Sequence, residues 1–125
     1  MTSTKTSKLR DIPAEEWSVF LGAISRHYAG RTVEIRLMDP ELGVFLVASG
    51  LAFIGITFDS AAGEAPTIRV AAGDLNSGHI AHDIVHPKRV RMRQEMNGVD
   101  NAIEIESSDS PTVLIEFAAE SAKRI

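Results

Sequence analysis

Thr32-Val33-Glu34-Ile35-Arg36-Leu37 alternates polar and apolar residues with a period of two. Such a segment suits a β-strand with one buried face and one wet face, because successive side chains point to opposite sides. The alternation starts two residues after Gly30, and the stretch before that glycine has a different period. Trp17, Phe20, Leu21, Ile24 and Tyr28 fall at i, i+3, i+4, i+7 and i+11, one stripe of a helix with about 3.6 residues per turn. Pro13 suits the first turn, and Glu15 and Glu16 favour the positive end of the helix dipole. Arg26 and His27 suit the opposite end, and Gly30 can take the left-handed conformation that terminates a helix. An aromatic stripe of this kind could dock a partner, but its ordinary use is to pack on the domain's own sheet.

Beyond Leu37 the segments continue to read as strands. Asp39-Pro40-Glu41-Leu42-Gly43 is turn chemistry. Val44 to Phe58 is apolar on both faces, which predicts either one long bent strand or a tight hairpin in the buried centre, with Gly50 and Gly55 marking bulges. Thr67 to Ala72 is a further short strand, followed by a loop from Gly73 to Gly78. Asn97-Gly98 is a strong two-residue hairpin signal. Closing the chain on it sets Val90 against Ile105 and Met92 against Ile103 on one face. The other face then receives Arg89 opposite Glu106 and Arg91 opposite Glu104, so two independent criteria select one register. The same register sets Glu95 against Asp100 near the turn. Val113, Ile115 and Phe117 make the last strand. The predicted fold is therefore α+β and mostly β: one N-terminal helix on a curved antiparallel sheet, or a small partly open barrel, of six to eight strands. Residues 1–11 read as a flexible tail, 12–118 as a single domain and 119–125 as a C-terminal tail.

The chain has 125 residues, 44% of them hydrophobic, a formal charge of −4 and no cysteine. That length fits one domain with one core. Without cysteine there is no disulfide scaffold, no thiol nucleophile and no thiolate metal site. The acidic balance disfavours nucleic acid as a partner, and no window is apolar for long enough to span a membrane as a helix. With no export signal, the cytoplasm is the expected compartment.

Two constellations could carry chemistry. His79-Ile80-Ala81-His82-Asp83-Ile84-Val85-His86 concentrates three of the four histidines beside a carboxylate. On a helix His79, His82, Asp83 and His86 would share a face, and imidazoles so spaced can hold zinc. On a strand His79 and Asp83 face away from His82, and no three-ligand site forms locally. Ile80 and Ile84 favour the strand, with His79 pairing to Asp83. Lys88, Arg89, Arg91 and Arg93 form a basic stripe that could touch phosphate, yet the hairpin register gives Glu104 and Glu106 to Arg89 and Arg91. Arg93 alone keeps no obvious partner. His79, His82, Asp83 and Arg93 are thus the candidate ligand-binding residues. No P-loop, G-x-S-x-G, G-x-G-x-x-G or H-E-x-x-H is present. Carboxylates could be gathered from Asp59, Asp74 and Asp83 at strand ends. The sequence calls for no cofactor or metal and identifies no catalytic residue.

Ile12-Pro13-x-x-x-Trp17-x-x-Phe20-Leu21, Ser25-Arg26-x-x-x-Gly30, His79-x-x-His82-x-Ile84, Pro87-x-x-Val90 and Ile103-Glu104-Ile105-Glu106-Ser107 together resemble an uncharacterised bacterial family of short proteins known only as a domain of unknown function. The resemblance covers Ile12 to Phe117 and implies no activity or site residue. On the residues themselves, the expected role is a small non-enzymatic module that binds a protein partner or forms a homodimer, because the two-sided apolar run from Val44 to Phe58 exceeds what one helix can cover. The alternative is a metal- or small-ligand-binding protein, hydrolytic in one version, with its site near His79, His82 and Asp83.

Overall fold

The computed structural model describes residues 7–61, 63–74, 76–95 and 101–118. Its strands are β1 (Ser7–Ile12), β2 (Thr32–Asp39), β3 (Gly43–Asp59), β4 (Thr67–Asp74), β5 (Gly78–Val85), β6 (Pro87–Glu95), β7 (Asn101–Ser107) and β8 (Thr112–Phe117). A 3₁₀ turn, Ala14–Glu16, leads into the helix α1 (Trp17–Tyr28). The eight strands form one open antiparallel sheet in the order β1-β6-β7-β8-β2-β3-β4-β5, so the expected curved sheet is present and does not close into a barrel.

The two periods place the elements as they should. Trp17, Leu21, Ile24 and Tyr28 are buried along one side of α1, and Gly30 takes φ +86° just past its end. Val33 and Ile35 of β2, Val90 of β6, Ile103 and Ile105 of β7, and Val113, Ile115 and Phe117 of β8 supply the facing wall. Phe117 joins the helix to the sheet: its ring stacks on Tyr28 with centroids 4.3 Å apart and meets Phe53 edge-on at 4.9 Å. The β6–β7 register is Arg89↔Glu106, Val90↔Ile105, Arg91↔Glu104 and Met92↔Ile103, as the sequence predicts. The Asn97-Gly98 turn and the Glu95–Asp100 pair lie outside the described residues or side chains.

Ser7–Ile12, most of which reads as a tail in the sequence, forms an edge strand instead. It is tied by backbone pairing to β6 from Ser7↔Glu95 to Ile12↔Val90, and Trp17 Nε1 donates to the Ile12 carbonyl at 2.9 Å. Ladder bonds require no apolar alternation, so the pattern does not announce the strand.

β3 is one continuous strand of 17 residues. Three register slips fall on it: Gly50 and Val47 are extra against β2, and Ile54 is extra against β4. Each extra residue adds a bend and local twist, and Gly50 accommodates its own with φ +74°. One bulge is thus at Gly50 as expected, and another is beside Gly55 at Ile54. The bent strand changes neighbours halfway. Its first half pairs with β2, and Phe53 to Asp59 pair with β4. On the side β2 has left, α1 takes over. Ser25 Oγ donates to the Ile56 carbonyl at 2.8 Å and accepts from the Ile56 N–H at 2.8 Å.

A second constraint curls the sheet. Val85 ends β5 and Pro87 begins β6, so a single residue, His86, links strands near opposite ends of the sheet order. His86 takes φ +56°, donates its N–H to the Pro66 carbonyl at 2.9 Å and accepts from Ser108 N–H at 3.2 Å. Its ring Nδ1 lies 2.6 Å from Asp109 Oδ2. The sheet must roll until these ends meet, and α1 lies in the trough.

Ser25→Ala is expected to leave both ladder groups of the fully buried Ile56 unmet, at about 1–3 kcal/mol. The urea unfolding midpoint of the variant should fall accordingly, with the slope unchanged.

Candidate functional site

The histidine segment is a strand, β5, at the far edge of the sheet. Its register against β4 sets His79↔Gly73, His82↔Val70, Asp83↔Arg69 and Ile84↔Ile68. Ile84 is buried and His82 is half-buried on the same face, whereas His79 and Asp83 are exposed on the other. Among the described residues no group of three or more His, Cys, Asp or Glu side chains is placed to hold a metal ion.

Asp83 is taken by Arg69, not by His79 as the sequence reading has it. Arg69 Nε and Nη2 donate to its two oxygens at 2.6 and 2.9 Å, a bidentate geometry that favours arginine. The signal was present in the sequence, since closing the chain on the Gly73–Gly78 loop sets Arg69 opposite Asp83. Asp74 is also engaged locally, accepting the Asn76 N–H at 2.8 Å.

Arg93 lies elsewhere, on the outer face of the β6-β7-β8-β2 wall. It too has a partner, Glu104 Oε2 at 3.3 Å. The residue directly opposite it is Ala102, so the pair is diagonal, and a search of directly opposite positions misses it. Diagonal reach also brings Arg91 to Glu106 at 2.6 Å. Further along the wall Arg36 holds both Glu34 and Glu116. A cavity of about 330 Å³ opens at one end of this lattice, lined in part by Glu34, Ser49, Gly50, Arg93, Glu116 and Phe117. Its charged groups are already paired: Glu34 with Arg36 and Ser49, Glu116 with Arg36, and Arg93 with Glu104. The structure thus gives Arg93 a cavity without bringing His79, His82 or Asp83 to it.

The surface that stands out is the first half of β3. The sequence reading puts Val44 to Phe58 in the buried centre, and only its second half is there. β4 pairs with β3 only as far as Ala72↔Phe53 and turns into β5 after Asp74, so nothing among the described strands pairs with 44–51 on that side. α1 covers the other half. Val44 and Leu46 remain 63% and 58% exposed on the outer face, and Phe45 is 45% exposed on the inner one. Leu42 and Val47 extend the patch. The run Val44-Phe45-Leu46-Val47-Ala48-Ser49 contains no charge and no proline. It offers a partner both an unfilled hydrogen-bonding edge and apolar side chains above and below it.

A family model described as a family of unknown function, DUF5335, matches residues 8–124. The chain belongs to this family. No curated protein and no solved structure matches the chain. The match contains the Ile12–Phe117 stretch of the resemblance and runs past it at both ends. Many residues that carry that resemblance hold up the DUF5335 fold: Ile12, Trp17, Leu21, Ile84, Val90, Ile103 and Ile105 are core, and Ser25 and Gly30 are the tie and the helix stop described above. No helix among the described residues is long and apolar enough to cross a membrane.

The Asp83 carboxyl is held below its ordinary value chiefly by the Arg69 hydrogen bond, which outweighs the opposing effect of burial, with the Arg69 charge adding a smaller push in the same direction. A lowered folded-state value means that the pair stabilises above the ordinary carboxylate range, and that this contribution is lost as pH falls through the folded value. Arg69→Gln should therefore raise the titration midpoint of Asp83, read from its carboxyl carbon shift by NMR.

Proposed function

We propose that this DUF5335 protein is a non-enzymatic binding module that acts as a homodimer, the first half of β3 pairing with the same segment of a second copy. The observation that carries this reading is the uncharged half-strand that β2 pairs on one edge and no described strand pairs on the other. Other sheet edges are blunted in the usual manner, by charge and by interruption. β1 presents Arg10 and Asp11 and runs into Pro13, and β5 presents His79, His82 and Asp83. From Val44 to Leu46, ahead of the bulges at Val47 and Gly50, the β3 edge has neither device.

A second copy fits this edge for a specific reason. Antiparallel pairing about a two-fold axis sets the segment against itself. With no charged residue from Val44 to Ser49, self-pairing brings no like charges together, and apolar side chains meet on both faces of the joined sheet. Leu42 and Val47 then lie within the apolar surface that the partner covers.

Sedimentation velocity tests this directly. The native protein should dimerise with rising concentration. Leu46→Lys, at an exposed position on the outer face, should be a monomer throughout, whereas Val19→Lys on the exposed face of α1 should dimerise as the native chain does. A native protein that stays monomeric to about 1 mM, a concentration at which a contact worth roughly 4 kcal/mol is half-formed, would remove the proposal. An L46K variant as dimeric as the native chain would also remove it.

A further inference from the structure

α1 does not fill the trough of the sheet to its β1–β6 end. Between the helix and these two strands runs an open groove of about 580 Å³, within the size range of small-molecule sites. Phe20, Ile24 and Tyr28 of α1 and Met92 of β6 give it an apolar lining, Arg10 and Arg26 bring positive charge, and the His27 ring lies beside them. We propose that this groove binds a small anionic amphiphile, a monomeric carboxylate with an aliphatic or aromatic body. This site is separate from the β3 edge and does not depend on the dimer.

The first argument is a reversal of the sheet's own pattern. On β1, Arg10 stands opposite Met92 and shares its face with the buried Ile12, while Leu9 points outward and is 48% exposed. Packing alone would have exchanged the two residues. Breaks in local pattern without a structural gain are characteristic of functional positions. The second argument is charge. Among the described residues no carboxylate lines the groove, and Arg10, Arg26 and His27 form no ion pair. Elsewhere on the sheet Arg36, Arg69, Arg89, Arg91 and Arg93 each lie within 4 Å of a carboxylate. Two arginines on one groove, without an ion-pair partner among the described residues, run against the average on a chain of charge −4. The helix dipole accounts for cations in the last turn of α1, but it does not place Arg10 there from another element.

The third argument is disposition. The Arg10 guanidinium lies over the Phe20 ring at 6.0 Å from the centroid, which holds a positive group against the apolar lining. The His27 ring stands edge-on to Tyr28 at 4.7 Å. A carboxylate between Arg10 and Arg26 would gain charge-assisted hydrogen bonds, and its hydrocarbon part would cover Ile24 and Met92.

Isothermal titration with decanoate below its micellar range tests the proposal, with acetate and decyltrimethylammonium as the head-only and opposite-head probes. Decanoate should saturate one site per chain and shift the Met92 methyl resonance, and the cationic analogue should bind at least about tenfold more weakly. Arg10→Gln and Arg26→Gln, both at exposed positions without ion-pair partners, should each weaken decanoate by about tenfold. Ala23→Glu, which puts a carboxylate into the groove at an exposed helical position, should reverse the preference between the two amphiphiles. Leu46→Lys should leave decanoate binding unchanged, so that failure of the dimer and failure of this site are separable. Equal affinity for the two head groups, variants that bind as the native chain does, or no response to about 1 mM decanoate would overturn the proposal. Binding to vesicles of anionic phospholipid in the absence of any response to decanoate would also overturn it, and would identify a membrane surface instead.

Discussion

β3 is longer than any neighbour it has, and most of the architecture follows from how that mismatch is resolved. A strand of 17 residues cannot be matched along its length by β2 or β4, each of eight. It is therefore shared: β2 takes one half, β4 the other, and three bulges bend the strand between them. Where β2 departs, the backbone groups of Ile56 would be stranded in a buried setting, and a single hydroxyl on α1 satisfies both. Where β4 is absent, no such substitute exists among the described elements. The helix is thus fixed to one half of β3, and the other half is left open.

The same economy explains why the core is concentrated where it is. Tyr28, Phe53 and Phe117 come from three elements and meet at the crossing of helix and sheet. Trp17 anchors the far end of the helix against the Phe58 ring at 5.3 Å and against the Ile12 carbonyl. The outer wall requires a different solution, because it faces water across four strands. Arg89, Arg91 and Arg93 of β6 stand on it beside Glu104 and Glu106 of β7, and Arg36 of β2 bridges Glu34 and Glu116. Partly exposed pairs of this kind contribute little individually. Their value lies in fixing register, because a slip of one residue would bury the charges and expose the isoleucines.

Much of this was legible in the chain. The change of period at Gly30 separates helix from strands, and the Arg–Glu and Val–Ile pairings select the β6–β7 register without any coordinates. What escaped reading did so for physical reasons. β1 joins the sheet through backbone bonds and one buried isoleucine, and its side-chain pattern is inverted at Leu9 and Arg10. Val44 to Phe58 reads as uniformly buried because apolar content reports what a segment would prefer, whereas its exposure depends on where β4 turns back. Arg93 and Asp83 found partners by diagonal reach and by a second hairpin register. The groove is assembled from residues 10, 20–28 and 92, which no local window joins.

The central claim is that the second half of β3 has both edges filled, by β4 and by α1, whereas among the described elements the first half is paired by β2 alone. Amide hydrogen exchange read residue by residue, at low and at high protein concentration, addresses it most directly. The account predicts that the Ile56 amide is protected under both conditions. The amides of 44–51 that β2 does not bind should exchange freely in dilute solution and become protected as concentration rises. Protection of those amides in the dilute monomer, or an Ile56 amide as open as they are, would contradict it.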